Sequence, residues 1–406
     1  MTGAMSFSRV VGHQQPIEVL RRAIHSGHVP HAYLFVGPPD VGKTLVATEF
    51  AKAINCERLG EPASPEQVDA CDECHNCIRI EQENHPDFQL VRPMTTLEEK
   101  KREKDAEAGG AEEEDQEDEE QEPVGTLEIE GSLISTGKIE RLINAANLKK
   151  ARDTRRKVYV VRSAEAMNAP AANRFLKTLE EPPGETTFIL TSARPARLLA
   201  TIISRCQVIK FHPVPKSEAV EALRAEFPEA DEGTLSAVVA LSGGRHGRAR
   251  WLLEHPDVLQ LRDRLLDLAA ASAQAPLVQA LGFGEDLLDL AEGWWRATED
   301  SDLAEKLFKS NRDRVLRTKI GELLDVLQTW HRDLALVRVA PGSDLIINAD
   351  RREQLVALAP EYHPAGLSWA SKVIEDIRAE LHGNANLRLA CEVLMLKLIA
   401  ARRKTR

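Results

Sequence analysis

A glycine-rich segment of the chain has the spacing of a phosphate-binding loop. Residues 37–44 match the pattern GxxxxGK[ST], with Gly37, Gly42, Lys43 and Thr44 at the defining positions. Glycines let the backbone turn its N–H groups toward a phosphate, a lysine neutralises phosphate charge, and a hydroxyl can hold Mg²⁺. An apolar run precedes the loop and a helical pattern follows it. The segment predicts a site for ATP with Mg²⁺; the alternative is a structural loop that keeps its shape without a ligand.

Four of the six cysteines are crowded together with the spacing of metal ligands. They form the pattern C-x14-C-x2-C-x2-C, which consists of Cys56, Cys71, Cys74 and Cys77. Two cysteines separated by two residues readily bind one ion, and four thiolates complete a tetrahedral Zn²⁺ site. No position would remain for a catalytic water, so we predict a structural zinc module.

A run of basic residues lies further along the chain, with no aromatic residue among them. Its members are Lys149, Lys150, Arg152, Arg155, Arg156 and Lys157. Such a run could contact nucleic-acid phosphates without base readout, or it could be a solvated loop. Both interpretations remain open at this stage.

Strand-like runs alternate with helical patterns through the first half of the chain. The predicted strands cover residues 31–37, 88–91, 157–161, 187–191 and 208–211. Alternation of this kind indicates a parallel sheet with crossover helices. We therefore expect an α/β P-loop domain with flanking helices.

The pattern changes near residue 212, beyond which nearly every segment is helical. One buried helix face is predicted from residues at spacings of four, three and four, namely Leu323, Leu327, Trp330 and Leu334. We expect a P-loop domain over residues 1–212, a helical lid over 213–258 and an all-α domain over 260–406.

The composition is that of a globular protein with an acidic insert. No apolar stretch approaches about 18 residues and no signal peptide is present, so a cytoplasmic protein is expected. The net charge is −11, yet residues 97–122 contain fourteen acidic and four basic residues and account for −10 of it. So polar a run predicts a disordered insert, either without a role or with a DNA-mimicking or regulatory one.

Several short motifs, taken in their order, resemble one protein family. Beside the phosphate loop and the four-cysteine module, they are VGHQ at 11–14, HAYLF at 31–35, LEEPP at 179–183, SRC at 204–206, WHRD at 330–333 and NAN at 384–386. Each is weak alone, but the ordered set is similar to the AAA+ subunits of bacterial clamp loaders, delta-prime and gamma/tau, over nearly the whole chain. The resemblance implies an AAA+ P-loop domain, a helical lid and a helical collar that joins subunits.

The chain departs from the gamma/tau pattern after the predicted strand at 157–161. The resemblance implies an acidic pair there in gamma/tau, an Asp that supports Mg²⁺ and a Glu that activates water. This chain has Arg162 and Ser163 instead, which supply neither function, so we expect weak or absent hydrolysis. Glu165 is an alternative base, although it lies further along the chain than the pattern requires. The departure favours the delta-prime branch of the family.

The resemblance also assigns roles to three polar positions. Arg205 stands where the family keeps an arginine finger, which acts on ATP held by a neighbouring subunit; the alternative is an ordinary surface ion pair. Thr191 and Ser192 fall at a polar sensor position. The segment 243–248 resembles the second sensor region of the lid, so Arg248 is expected near the nucleotide; the alternative is that Arg245 and Arg248 are solvated surface residues.

The resemblance, together with this departure, implies a delta-prime-like subunit of the DNA polymerase III clamp loader. Such a subunit would bind ATP and take part in ATP-dependent loading of the sliding clamp onto primed DNA, as a stator that donates an arginine finger. The resemblance implies gamma/tau, delta, the sliding clamp and primer-template DNA as partners, the DNA being held through its backbone. Two alternatives remain: an active gamma-like ATPase, and a zinc- and ATP-binding adaptor unrelated to clamp loading.

Overall fold

A computed structural model of the chain describes residues 6–93, 133–298, 302–343, 345–383 and 385–402. The insert predicted at 97–122, and Asn384 of the NAN motif, lie outside the described residues. The chain divides into two compact units, one of Met1–Glu226 and Gly244–Arg248, the other of Phe227–Gly243 and Ala249–Arg406.

The first unit contains a parallel sheet of five strands. They are β1 (Ala32–Val36), β2 (Phe88–Val91), β3 (Lys157–Val161), β4 (Thr186–Ser192) and β5 (Gln207–Lys210). Their order in the sheet is β2-β3-β4-β1-β5, and every neighbouring pair is parallel. The predicted fold class is confirmed, because buried β-branched and aromatic runs such as those of β3 and β4 form central strands covered on both faces.

The first unit also contains helices, several of which cover the two faces of this sheet. They are α1 (Gln14–His25), α2 (Lys43–Asn55), α3 (His75–Glu81), α4 (Thr136–Asn147), α5 (Ala169–Glu180), α6 (Ala200–Ile203) and α7 (Lys216–Glu226). Side chains of a strand alternate between faces. Tyr33 and Phe35 therefore join the core beneath α1 and α2, whereas Ala32 and Leu34 join the core beneath α4 and α5.

The second unit is helical in the part of the chain that the structure describes. Its helices are α8 (Glu232–Ser242), the greater part of α9 (His246–Glu254), α10 (Pro256–Ser272), α11 (Ala280–Thr298), α12 (Asp302–Val339), α13 (Arg352–Leu358), α14 (Pro364–His382) and α15 (Leu387–Ala401). The helix face predicted on α12 is fully buried at all four positions. The helix is kinked at Asn311, whose φ of −137° is not helical. None of the described helices is both long and apolar enough to cross a membrane.

The WHRD motif stabilises the second unit. Trp330 lies in the core, and the fully buried carboxylate of Asp333 accepts hydrogen bonds from the backbone and side-chain nitrogens of Asn348 at 2.7 and 2.9 Å. Arg262 of α10 donates to Asn348 Oδ1 at 2.7 Å and to both carboxylate oxygens of Asp350. This buried network joins α10, α12 and the segment before α13.

Candidate functional site

The phosphate-binding loop lies between β1 and α2, at the carboxyl edge of the sheet. A Cβ atom at Gly37 would lie 2.5 Å from the carbonyl oxygen of Phe211, so no side chain fits there. Gly42 has a φ of 108°, a conformation that strongly favours glycine. The path of the backbone therefore requires both glycines of the motif.

Lys43 begins α2 and its ammonium group points back into the loop. Its Nζ donates to the carbonyl oxygens of Gly37 at 2.7 Å and Pro38 at 2.5 Å, and the residue is 8% exposed. Thr44 follows in the first turn, whose backbone N–H groups have no partner within the helix. A helix N-terminus beside a lysine attracts anions. The structure thus brings together all four residues predicted from the loop motif.

Two distant segments of the first unit hold this loop in place. Nε2 of His13, in the VGHQ motif, lies 2.6 Å from the carbonyl oxygen of Val41. Burial, assisted by nearby positive charges that include Lys43, lowers the pKa of His13, so the ring is neutral at pH 7 and donates from Nε2. Gly247 N donates to the Asp40 carbonyl oxygen at 3.1 Å. This contact brings the segment that carries Arg248 to the loop.

The ends of β3 and β4 meet beside the loop. Arg162 and Ser163 directly follow β3, where the gamma/tau pattern would have its acids. The backbone N–H of Ser163 donates to Thr191 Oγ1 at 3.1 Å, and Thr191 is almost fully buried. Thr191, the predicted sensor, therefore contacts the segment of Arg162 and Ser163, where the chain departs from the gamma/tau pattern.

Glu165, the alternative catalytic base, is bound to the backbone of the next loop. Its Oε1 accepts hydrogen bonds from the amide nitrogens of Ala193 at 3.0 Å and Arg194 at 3.1 Å. Two backbone donors fix a carboxylate firmly in place. The structure thus gives Oε1 of Glu165 a role in supporting the turn after β4, while Oε2 is buried and has no hydrogen-bond partner among the described residues.

Arg205 follows α6 and is only partly exposed. One terminal nitrogen, NH2, donates to Glu180 Oε1 at 2.7 Å, and the other, NH1, donates to the carbonyl oxygen of Thr201 at 2.9 Å. No sequence pattern indicates this pair, because its partners are 25 residues apart and belong to different elements. The guanidinium group is therefore held on one side by α5 and on the other by α6.

The four predicted metal ligands converge in space. The sulfur atoms of Cys56, Cys71, Cys74 and Cys77 lie within 4.8 Å of one another. Zn–S bonds of about 2.3 Å in a tetrahedron place sulfurs roughly 3.8 Å apart, so the cluster fits such an ion. The backbone N–H of Cys74 donates to Cys71 Sγ at 3.3 Å, which would stabilise a bound thiolate. A hydrogen bond from Cys77 lowers the pKa of Cys56, which favours a thiolate within the cluster.

A buried lysine joins the cysteine module to the helix that follows the phosphate loop. Lys52 of α2 is 1% exposed, and its Nζ lies 2.9 Å from Glu49, 2.7 Å from Asp72 and 2.7 Å from Glu81. Burial opposes the charge of Lys52, but the hydrogen bonds that it donates to Asp72 and Glu81 outweigh this effect and raise its pKa. Burial also raises the pKa of Glu49 to about 7. The carboxylates therefore depend on Lys52 for compensation.

Replacing Lys52 with Met should lower the free energy of unfolding by about 3–5 kcal/mol, because it leaves the fully buried carboxylate of Glu49 without its close partner. Urea unfolding at pH 7 would measure the change. The matched control is Arg58→Ala, which breaks the exposed pair with Glu73 and should leave stability unchanged. Equal stability of the two variants would contradict a structural role for the buried lysine.

Two buried asparagines connect the cysteine module to the segment before β3. Asn55 Oδ1 accepts hydrogen bonds from the backbone nitrogens of Arg155 at 3.0 Å and Arg156 at 2.9 Å. Asn76, between the last two cysteines, donates to the carbonyl oxygens of Asn55 at 3.1 Å and Asp153 at 2.9 Å. The module therefore fixes the backbone of the basic stretch.

The basic stretch does not form the continuous phosphate-facing surface that the sequence allowed. Four of its six side chains bind other parts of the protein, namely Lys150, Arg155, Arg156 and Lys157. Lys157 is 4% exposed and donates to the Leu148 carbonyl oxygen at 2.7 Å. Lys149 and Arg152 are exposed. The sequence showed the charges but not which way they face.

A parallel five-stranded sheet that carries this phosphate loop between its first strand and the next helix defines a P-loop domain of the AAA+ type. Comparison with known proteins shows to which family of such proteins the chain belongs. The family model described as "DNA polymerase III, delta subunit" matches residues 12–215, half of the chain. The chain belongs to this family.

Individual relatives come from two branches. The chain is 28% identical to DNA polymerase III subunit tau of Salmonella typhimurium over 97% of its own length and 54% of that protein. It is 32% identical to subunit delta′ of Bacillus subtilis over 50% of this chain and 48% of that protein, and 34% identical to subunit delta′ of Pseudomonas aeruginosa over 53% of each. The chain thus spans about half the length of these relatives.

One solved structure that resembles the chain is a DNA polymerase III gamma subunit-related protein of Thermotoga maritima. The two share 17% sequence identity over 96% of this chain and 99% of that one, with a TM-score of 0.39.

Proposed function

We propose that this chain is a delta-prime-type subunit of the DNA polymerase III clamp loader, which binds ATP and supplies Arg205 to ATP held by a neighbouring subunit. Support comes from the family membership, from the delta′ relatives and from the assembled phosphate loop. The proposed partners are gamma/tau, delta, the sliding clamp and the backbone of primer-template DNA.

The proposal rests mainly on one combination: the phosphate-binding loop is complete, but no acidic residue directly follows β3. Lys43 and Thr44 occupy the positions that hold phosphate and Mg²⁺, while Arg162 and Ser163 follow β3 and Glu165 is bound to two backbone amides. Mg²⁺ would neutralise charge on the phosphates, but Arg162 and Ser163, directly after β3, offer no carboxylate to activate water. This combination supports binding without hydrolysis.

The second candidate function is a gamma-like active ATPase. One observation favours it: the alignment with tau of Salmonella typhimurium extends over 97% of this chain. On that alternative, the chain would hydrolyse its own ATP and Lys43 would be essential to the rate.

The two candidates differ in what the purified chain does with ATP. We expect one nucleotide bound per chain, measured by calorimetry, and no hydrolysis above the level of Lys43→Ala, measured by phosphate release. Lys43→Ala should abolish most of the binding, because the ammonium group is the principal buried cation of the loop. Turnover that depends on Lys43 would favour the gamma-like alternative.

We also propose that the ion held by the four cysteines is zinc. Four sulfur ligands in a closed set match zinc in a structural site, and the site would leave no position for a reacting water. The residues of the cluster would hold the module together, while Asn76 and Lys52 extend that support to the segment before β3 and to α2.

A further inference from the structure

The contact between Arg205 and Glu180 joins two elements at the surface of the first unit. Glu180 is the last residue of α5, and Arg205 lies just beyond the single turn of α6. The NH2–Oε1 distance is 2.7 Å, and the side chains of Arg205 and Glu180 are 34% and 45% exposed. The pair is therefore well formed and yet accessible to another molecule.

The contacts of Arg205 fix the direction of its guanidinium group. A guanidinium has five N–H donors in a rigid plane. One donor on NH2 binds Glu180 and one on NH1 binds the Thr201 carbonyl oxygen, so both terminal nitrogens are anchored. Three donors have no partner among the described residues. The guanidinium group is planar and already held at two points. It can therefore donate from the remaining N–H groups to a second acceptor with little further loss of side-chain conformational entropy.

Folding stability does not explain why an acid stands at this place. A carboxylate at the C-terminus of a helix is opposed by the helix dipole, and α5 ends in Glu180 with Glu181 directly after it. Exposed ion pairs add little to stability. The physical consequence of the Glu180 contact is instead the fixed orientation of Arg205.

We propose that Glu180 is a positioning residue for Arg205. It holds the guanidinium group in the orientation that reaches the phosphate of the ATP bound by a neighbouring subunit. The inference rests on the proposed role of Arg205 as a finger that acts in trans. Glu180 itself would touch neither ATP nor the reacting atoms. Because the finger stabilises charge that develops in the transition state, loss of its positioning should lower kcat and leave the KM for ATP unchanged.

The test uses the reconstituted clamp loader with clamp and primed DNA, and compares the wild-type chain with Glu180→Ala, Glu180→Gln, Arg205→Ala and the double variant that combines Glu180→Ala with Arg205→Ala. Glu180→Ala should lower kcat about fivefold, the change expected from losing one exposed charged hydrogen bond. Glu180→Gln keeps an acceptor oxygen and should recover most of the rate. In an Arg205→Ala background, Glu180→Ala should have no further effect.

Glu181→Ala is the matched control, because it removes an adjacent exposed carboxylate that does not contact Arg205; its kcat should equal that of the wild type. If Arg205→Ala itself has no effect, the proposed function fails. If Arg205→Ala lowers kcat while Glu180→Ala does not, only the positioning inference fails. A rise in kcat for Glu180→Ala would also overturn it, since the carboxylate would then compete with phosphate for the arginine.

Discussion

A clamp loader that carries Arg205→Ala in this chain should assemble normally and hydrolyse ATP about 10³-fold more slowly at the site that this arginine serves. The guanidinium group offers forked donors to phosphoryl oxygens as negative charge develops on them, and alanine offers none. The rate is best measured by single-turnover phosphate release. The loader used should have a functional P-loop lysine only in the neighbour that borders this chain.

Arg197→Ala serves as the control for this change. Arg197 is another exposed arginine of the first unit and belongs to the turn before α6. Its replacement should leave both assembly and the single-turnover rate at the wild-type level. A normal rate for Arg205→Ala in a fully assembled loader would show that the arginine is an ordinary surface residue.

Replacing Cys71 with Ser should release the metal from the cysteine module and strongly destabilise the first unit. A structural zinc site contributes on the order of 10 kcal/mol of apparent binding free energy, all of which is available only to the folded state. The loss should extend beyond the module, because Asn76 and Lys52 connect it to the segment before β3 and to α2. Metal analysis should find one zinc per wild-type chain and none in the variant, and urea unfolding should give a much lower midpoint.

Cys206→Ser tests whether any thiol would produce the same effect. Cys206 lies outside the cluster, and burial raises its pKa to about 12, so it remains a protonated thiol. This variant should retain one zinc per chain. Full retention of metal and stability in Cys71→Ser would remove the basis for the metal site.

The local motifs could be predicted from the sequence because their function requires fixed spacing. The phosphate loop and the cysteine module each lie within one short segment, where residue type and spacing determine the geometry. The five strands were also predictable, since central parallel strands are continuous apolar runs. Their bounds differ by at most one residue at either end; β4, for example, extends to Ser192.

Contacts between distant residues could not be predicted in this way. Glu180 was visible within the LEEPP motif, but its hydrogen bond to Arg205 depends on how α5 and α6 pack. The orientation of the side chains in the basic stretch could not be predicted for a similar reason. Buried carbonyl oxygens need hydrogen-bond donors, and Lys157 supplies one at Leu148, so a charge that looked solvated in the sequence is used inside the fold.

If this chain donates an arginine and does not hydrolyse ATP itself, replacements of its phosphate-loop lysine and of Arg205 should affect the clamp loader differently. Lys43→Ala and Arg205→Ala should be placed separately in the same reconstituted loader, and DNA- and clamp-stimulated ATP hydrolysis should be measured for both. We expect Lys43→Ala to remain near the wild-type rate, because Arg162 and Ser163 supply no carboxylate for hydrolysis in this chain. Arg205→Ala should show the large loss. Abolition of hydrolysis by Lys43→Ala, with no effect of Arg205→Ala, would instead identify the chain as an active ATPase that donates no arginine finger.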